Sequence, residues 1–334
     1  MKTKKITIIG GAGFIGHNMA IYLKRKGFDI TIIDSLSVNN MLSFTNRNLK
    51  NQNIYWSILN RRLDLLHTNN INLYIEDARN YNSLSLLLGK IKPDIIIHLA
   101  AVSHANKSNK DPHTTFDHTL RTLENTMDNA KSLKCRVIYF SSSMVYGNFK
   151  SNRVKEDTTC NPIGIYGTLK YSGELIVKAY HQVFDVPYTI IRPSALYGER
   201  CVSRRVGQIF VENAVQNSAI KIQGNGSEML DFTYIEDLIS GVELVIKNKN
   251  AVNETFNLTY GKAEKISKMA EILKSQFNEI EIEYLPSEKL NPKRGTLNID
   301  KAKKLIGYNP KYSLEIGYLK YIKWYKKFWE GIKN

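Results

Sequence analysis

The chain has 334 residues, 47 Lys and Arg against 31 Asp and Glu, a formal net charge of +16 and 43% hydrophobic residues. That length suits one large α/β unit or a nucleotide-binding domain with a smaller companion, and the apolar share allows a sizeable core. No run of about 18 apolar residues exists, so a membrane-spanning helix is excluded and no membrane partner is expected.

At the N-terminus, Ile6–Ile9 is too short and too β-branched for a secretory signal, and Gly10-Gly11 cuts it, so a cytoplasmic protein is expected. Cys135, Cys160 and Cys201 lie far apart, form no CxxC pair and predict no metal site; an odd count fits a reducing compartment. The basic excess is scattered Lys without an RNA-binding signature. Nucleic acid is therefore not the expected partner, and attraction of an anionic diphosphate ligand is the simpler account.

Along the chain, short β-branched runs alternate with helical patterns. Strands are predicted at Ile6–Ile9, Ile30–Ile33, Leu73–Ile75, Ile95–Leu99, Val137–Ser141 and Tyr188–Arg192, with helices such as Gly16–Lys26 and Tyr166–Phe184 between them. Continuous apolar strands alternating with helices predict a doubly wound parallel sheet. An extra helix, Ile54–His67, falls in the long stretch 35–70 and is read as a surface elaboration. Beyond Pro193 the pattern loosens. Strands Ala219–Ile222, Thr255–Leu258 and Ile280–Tyr284 mix with helices Val206–Gln216, Tyr234–Lys247, Ile266–Phe277 and Leu314–Trp329. The expected organisation is a nucleotide-binding domain over 1–193 and a smaller α+β substrate lobe over 194–334, with some exchange of elements between them.

The first strand runs directly into Gly10-Gly11-Ala12-Gly13-Phe14-Ile15-Gly16 and then a helix. Glycine at 10 permits the tight turn, glycine at 13 lets backbone approach a pyrophosphate, and glycine at 16 lets helix and sheet pack closely. The helix N-terminus offers free N–H groups and its positive dipole end to the phosphates. Asp34, closing the second strand, can accept from an adenosine ribose 2′-hydroxyl. No Arg follows it in Ser35-Leu36-Ser37, which favours NAD over its 2′-phosphorylated form.

Tyr166 and Lys170 stand four apart and share one helix face. A free tyrosine is too weak an acid to act as a base near neutrality, and a neighbouring ammonium favours the phenolate. Val137–Ser141 is a buried strand ending in the hydroxyls Ser141, Ser142 and Ser143, at the carboxyl edge where such sheets bind ligands.

With those residues in hand, the chain resembles the extended short-chain dehydrogenase/reductase family of NAD-dependent nucleotide-sugar epimerases and dehydratases, a Rossmann-type group. The resemblance runs from about Lys4 to Trp324. It is carried by Gly10–Gly16, Asp77 in Glu76-Asp77-Ala78-Arg79, His98-Leu99-Ala100-Ala101, Ser142 with Val145-Tyr146-Gly147, Tyr166 with Lys170, Arg192-Pro193 with Tyr197-Gly198, and Asp231-Phe232-Thr233-Tyr234. It implies that Asp77 contacts the adenine, with Ala78 beside it. Gly10, Gly13, Phe14, Ile15, Gly16, Asp34, Leu99, Ala100 and Ala101 line the cofactor channel, and Pro193 closes on the nicotinamide. It also implies that Ser142, Tyr166 and Lys170 are catalytic, and that the protein is a homodimer through helices near Thr114–Leu133 and Tyr166–Phe184.

The chain departs from the family pattern where the substrate is held. Leu230 stands where an Arg commonly contacts substrate phosphate, and Ala195 where an Asn is common; His118 and Arg121 replace a usual Asn and Gly. Arg294, Arg200, Arg204 and Arg205 are the candidates to replace the missing arginine, and Ser103, His104 and Ser143 are candidates to face the sugar.

The shared first step of the family is removal of a sugar hydroxyl proton with hydride transfer to NAD. Dehydratases of this kind carry Asp-Glu directly after the catalytic Ser or Thr; here those positions are Ser143 and Met144, and a thioether donates no proton. The expected activity is epimerisation of a nucleotide-diphosphate sugar at C4. A dehydratase or uronate decarboxylase of the same family is the alternative, and a non-catalytic NAD- or RNA-binding scaffold is the alternative of another class.

Overall fold

The structure is a computed structural model that describes residues 3–45, 51–103, 105–277, 280–286 and 292–333. Seven strands build the central sheet: β1 (Lys5–Ile9), β2 (Asp29–Asp34), β3 (Asn72–Ile75), β4 (Ile95–His98), β5 (Arg136–Phe140), β6 (Tyr188–Arg192) and β7 (Glu254–Asn257). Their order is β7-β6-β5-β4-β1-β2-β3 and every pairing is parallel. β4 and β6 are buried along their whole length because helices cover both faces of the sheet, and strands so enclosed have no solvated side to make polar.

The strand order reverses between β1 and β4. The helix after β1, α1 (Phe14–Arg25), and the chain after β4 diverge there, and a crevice opens at the carboxyl edge. β7 belongs in sequence to the expected substrate lobe, yet it extends the central sheet, with Thr255 beside Ile190. Glu254-Thr255-Phe256-Asn257, with Phe256 and Asn257 buried, complete their backbone hydrogen bonds on the open parallel edge of β6, so the chain crosses back after residue 193.

The helix α2 (Gln52–Thr68) corrects the reading of 35–70 as a surface elaboration. Ile54, Ile58, Arg62 and Leu66, each four residues from the next, form a buried stripe with Tyr55 and Leu59 beside it. This is one helical face, and it packs into the main core. The predicted helix at Thr114–Leu133 is an α-helix from Pro112 to Phe116 that passes through a π-helical turn, Asp117–Arg121, into α3 (Thr122–Leu133).

Outside the central sheet the chain forms two-stranded pairings. Ile220–Gln223 lies parallel to Ile282–Leu285, and Thr296–Leu297 lies parallel to Arg153–Val154. The latter pairing, with the Phe149 amide donating to the Lys293 carbonyl (2.8 Å), holds the 293–295 backbone over the crevice. The helix Leu314–Lys333 buries Tyr318, Tyr321 and Tyr325 in the main core.

Candidate active site

The strand-to-helix turn behaves as a backbone cradle. Gly10 has φ +79°, and a Cβ there would sit 2.7 Å from the Ala100 nitrogen, so only glycine lets β1 and the chain after β4 meet at the switch point. A Cβ on Gly16 would fall 2.5 Å from the Gly11 Cα, which is why α1 can start so close to the turn. Gly13 caps that helix in extended geometry, leaving the first N–H groups of α1 free of a side-chain cap.

Asp34 braces the turn from the side. One carboxylate oxygen accepts from the Ala12 amide (2.9 Å) and the other from the Leu36 amide (2.7 Å). Burial raises its pKa, against the pull of those amides and of Arg62. Each oxygen keeps a lone pair for a further donor. Gly10, Gly13, Phe14, Ile15, Gly16, Asp34, Asp77, Ala78, Leu99, Ala100, Ala101 and Ser103 all line one narrow trough of about 130 Å³. Asp77 is held by a forked bond from Arg79, with Nε at 3.1 and 3.0 Å from its two oxygens. The glycine turn, the uncapped helix start and the carboxylate at the strand end together fit a dinucleotide pyrophosphate and its adenosine ribose.

The trough continues into a cleft of about 870 Å³, the two sharing Ile15, Leu99, Ala101, Ser103 and Arg205. Ser142, Ser143, Tyr166, Lys170 and Pro193 line this larger space. Tyr166 and Lys170 sit in the first two turns of α4 (Gly164–Phe184). Lys170 is buried, and its Nζ donates to the Phe140 carbonyl (2.7 Å) at the end of β5. Burial drives its pKa down to about 7, opposed by the Glu174 carboxylate one turn further along. Ser142 caps the turn Ser143–Tyr146, its Oγ accepting from the Met144 amide (3.2 Å), and this fixes the hydroxyl at the cleft wall. The Ser143 amide donates to the Pro193 carbonyl (2.9 Å) and ties the two walls together.

Beneath these groups lies a network that sequence reasoning missed. Arg192, at the end of β6, binds Glu174 through Nη2 (2.7 Å) and Nε (2.9 Å), and Ser141 Oγ donates to Glu174 (2.5 Å). Arg192 also donates to the Tyr146 hydroxyl (2.9 Å), which donates to Asn257 (2.7 Å) on β7. Burial alone would lower the Arg192 pKa, and Glu174 more than reverses it. The sequence did hold a signal: Tyr166, Lys170 and Glu174 repeat every four residues, one face of α4.

On the far wall, Arg204, Arg205 and Arg294 line the cleft. Burial, then the charge of Arg205, lowers Arg294 to about 10, so two guanidinium groups press on one another. Arg200 does not join them. Its guanidinium turns to the back of α1, where Nε donates to His17 Nε2 (2.9 Å) and Nη2 to Asn18. Ser103 receives Arg205 on its carbonyl (3.2 Å) and Asn39 on its hydroxyl (3.1 Å). His104 lies outside the described residues. Leu230 and Ala195 both reach the cleft. Cys135, Cys160 and Cys201 are free thiols, and the described residues contain no cluster able to hold a metal ion.

This fold and site define an NAD-dependent enzyme of the extended short-chain dehydrogenase/reductase class. The chain belongs to the NAD dependent epimerase/dehydratase family, whose model matches residues 6–259. It is 28% identical to a UDP-glucuronate 4-epimerase of Thermodesulfobacterium geofontis over 331 residues, covering 98% of each chain. It is 29% identical to UDP-glucuronic acid decarboxylase 1 of Danio rerio over 341 residues, 99% of this chain and 75% of that one. Among solved structures, it is similar to a UDP-glucuronic acid 4-epimerase of Bacillus cereus in complex with UDP-glucuronic acid and NAD. That likeness has a TM-score of 0.83 at 29% identity and covers 97% of this chain and 99% of the other.

Proposed function

We propose that this protein interconverts a nucleoside-diphosphate sugar and its C4 epimer, with Tyr166 as the base, Lys170 as its partner and Ser142 as the group that orients the sugar hydroxyl. The observation that carries this reading is the buried Lys170, anchored on the Phe140 carbonyl one helical turn from Tyr166, in the cleft that Ser142 lines. NAD, when bound in the trough, supplies the hydride acceptor and donor at the sugar carbon.

The rest is the work of this chain's residues. Tyr166 takes the hydroxyl proton in one direction and returns it in the other. Lys170, whose pKa burial draws down to about 7 against the pull of Glu174, stands one helical turn from Tyr166, and its ammonium form favours the phenolate. Ser142, fixed by its turn, hydrogen-bonds the same hydroxyl. Arg204, Arg205 and Arg294 face the diphosphate in place of the family arginine that Leu230 replaces. With Ser143 buried and Met144 beside it, no acid–base pair for expelling water follows Ser142, which favours epimerisation over dehydration.

The protein is further read as a cytoplasmic homodimer. Support comes from Phe116, Leu175, Val183 and Phe184, large apolar side chains exposed on the helices expected to pair. The deciding experiment incubates the protein and NAD with UDP-, GDP-, CDP- and dTDP-sugars and identifies products by NMR. An epimer with no net NADH is expected. A decarboxylated product, the activity named for the Danio rerio relative, would move the reaction but keep the hydride chemistry.

A further inference from the structure

The segment that follows β6 carries Arg204 and Arg205 to the cleft in an unusual backbone. Arg200 has φ +63° and Arg204 φ +51°, two non-glycine residues in the left-handed region within five positions. Such residues persist where surrounding structure over-determines them. Here the surroundings belong to α2, the helix inserted between β2 and β3.

Two buried contacts connect them. Arg62, with 1% of its surface exposed, forks onto the Arg200 carbonyl with Nε at 3.0 Å and Nη2 at 2.5 Å. No carboxylate pairs with it among the described residues, and its third donor reaches the Ala12 carbonyl (3.5 Å) in the NAD cradle. The second contact is a relay. Tyr55 donates to the buried carboxylate of Glu212 (2.9 Å), whose other oxygen accepts from Gln208 Nε2 (2.5 Å). The Gln208 side-chain oxygen, Oε1, in turn accepts from the Arg204 amide (2.8 Å). Asn51 (3.4 Å) and Tyr325 (3.2 Å) complete the shell of Glu212 with neutral donors. Among the described residues Glu212 thus accepts from several neutral donors and forms no ion pair, and it joins α2 to the backbone of Arg204.

We infer that α2 is a positioning element for the substrate cleft: through Arg62 and the Tyr55–Glu212–Gln208 relay it holds residues 200–205 in their left-handed turns and so presents Arg204 to the substrate diphosphate. The inference rests on the nucleotide-sugar reading of that cleft. It also assigns a purpose to the insertion, since one helix contacts both the cofactor turn and the substrate wall. Tyr55, Glu212 and Gln208 line neither the trough nor the cleft, and their route to the cleft is the Arg204 backbone.

The test uses Tyr55→Phe, which removes one hydroxyl and leaves the packing volume of the helix intact. Hydrogen exchange read by mass spectrometry should speed up in the peptide over residues 200–208 while the β1–α1 peptide keeps wild-type protection. KM for the nucleotide sugar should rise about fivefold with kcat and NAD affinity held within about twofold, because ground-state holding is what the relay supplies. Arg204→Ala should raise KM too, and adding Tyr55→Phe to it should change little further. Glu212→Gln, which keeps the shape of the node, should behave as Tyr55→Phe does. Unchanged exchange over 200–208, or KM effects of Tyr55→Phe and Arg204→Ala that simply multiply, overturns the inference. A wild-type protein that turns over no nucleotide sugar sinks the functional reading instead, and the exchange arm still decides whether α2 holds the segment.

Discussion

Replacing Glu174 with Gln tests the platform beneath the site. The substitution keeps shape and one acceptor but removes the charge opposite Arg192, whose side chain is 3% exposed while that of Glu174 is 0% exposed. A surface pair would be worth little. Here both partners are out of water, and deleting one leaves a guanidinium buried with only neutral acceptors, a change that typically costs about 3–5 kcal/mol. For a chain of this size that corresponds to a fall in Tm on the order of 5–10 °C. A second effect reaches the chemistry. The Glu174 carboxylate is the group that opposes the desolvation of Lys170, so its removal pushes the Lys170 pKa below its value of about 7. If the ammonium form assists Tyr166, the alkaline side of the kcat/KM profile should move to lower pH. Urea unfolding and a pH–rate series on the same preparations measure both. A loss of stability under about 1 kcal/mol would show the pair to be solvent-screened and the argument from burial wrong. An unmoved pH profile would detach Glu174 from Lys170.

Tyr166→Phe should lower turnover by about 10²–10⁴-fold while calorimetry shows unchanged NAD affinity, since a positioned base contributes about that much; turnover within twofold of wild type would remove Tyr166 from the mechanism. Gly10→Ala should abolish NAD binding in a folded protein or prevent folding, because its methyl would meet the Ala100 nitrogen at 2.7 Å on a backbone at φ +79°; an NAD titration matching wild type would contradict the close approach. Lys170→Met should raise the Tm of the NAD-free protein most at low pH. The folded-state pKa of about 7 lies below the ordinary lysine value of 10.5, so the unfolded chain binds more protons between those limits and wild-type stability rises with pH across that window. The gap between variant and wild type should therefore be widest below pH 7 and shrink toward pH 10; a constant gap would contradict burial as the cause. Leu175→Glu, placing a charge on an exposed apolar side chain of α4, should convert the expected dimer to monomer in light scattering; an unchanged mass would move the interface elsewhere.

Periodicity carried the sequence reading a long way. The six strands predicted before residue 193 all form; five are apolar runs buried in the sheet, whose backbone has few other ways to be satisfied, and β3, largely exposed, forms as the edge strand on β2. The glycine turn was legible because its chemistry is local: strand, turn and helix start fall within a dozen residues. Tyr166 and Lys170 were legible for the same reason, lying one helical turn apart. Leu230 and Met144 stand out in the sequence as departures from the family pattern, and both line the cleft.

What the linear chain could not decide was which distant groups meet. Arg192 and Glu174 are 18 residues apart on different elements, and only the packing of α4 against β6 makes them a buried pair. Four arginines were interchangeable candidates for the substrate wall until the left-handed turn at Arg200 sent one of them to His17 and its neighbours Arg204 and Arg205 to the cleft. The helix α2 had the composition of a surface addition, with Arg62 in its stripe, and burial of that charge is intelligible only once the Arg200 and Ala12 carbonyls are seen around it. Local sequence fixes elements because backbone hydrogen bonding and side-chain period are short-range. The destination of a long cationic side chain depends on acceptors from remote parts of the chain, and those are assembled only by the tertiary fold.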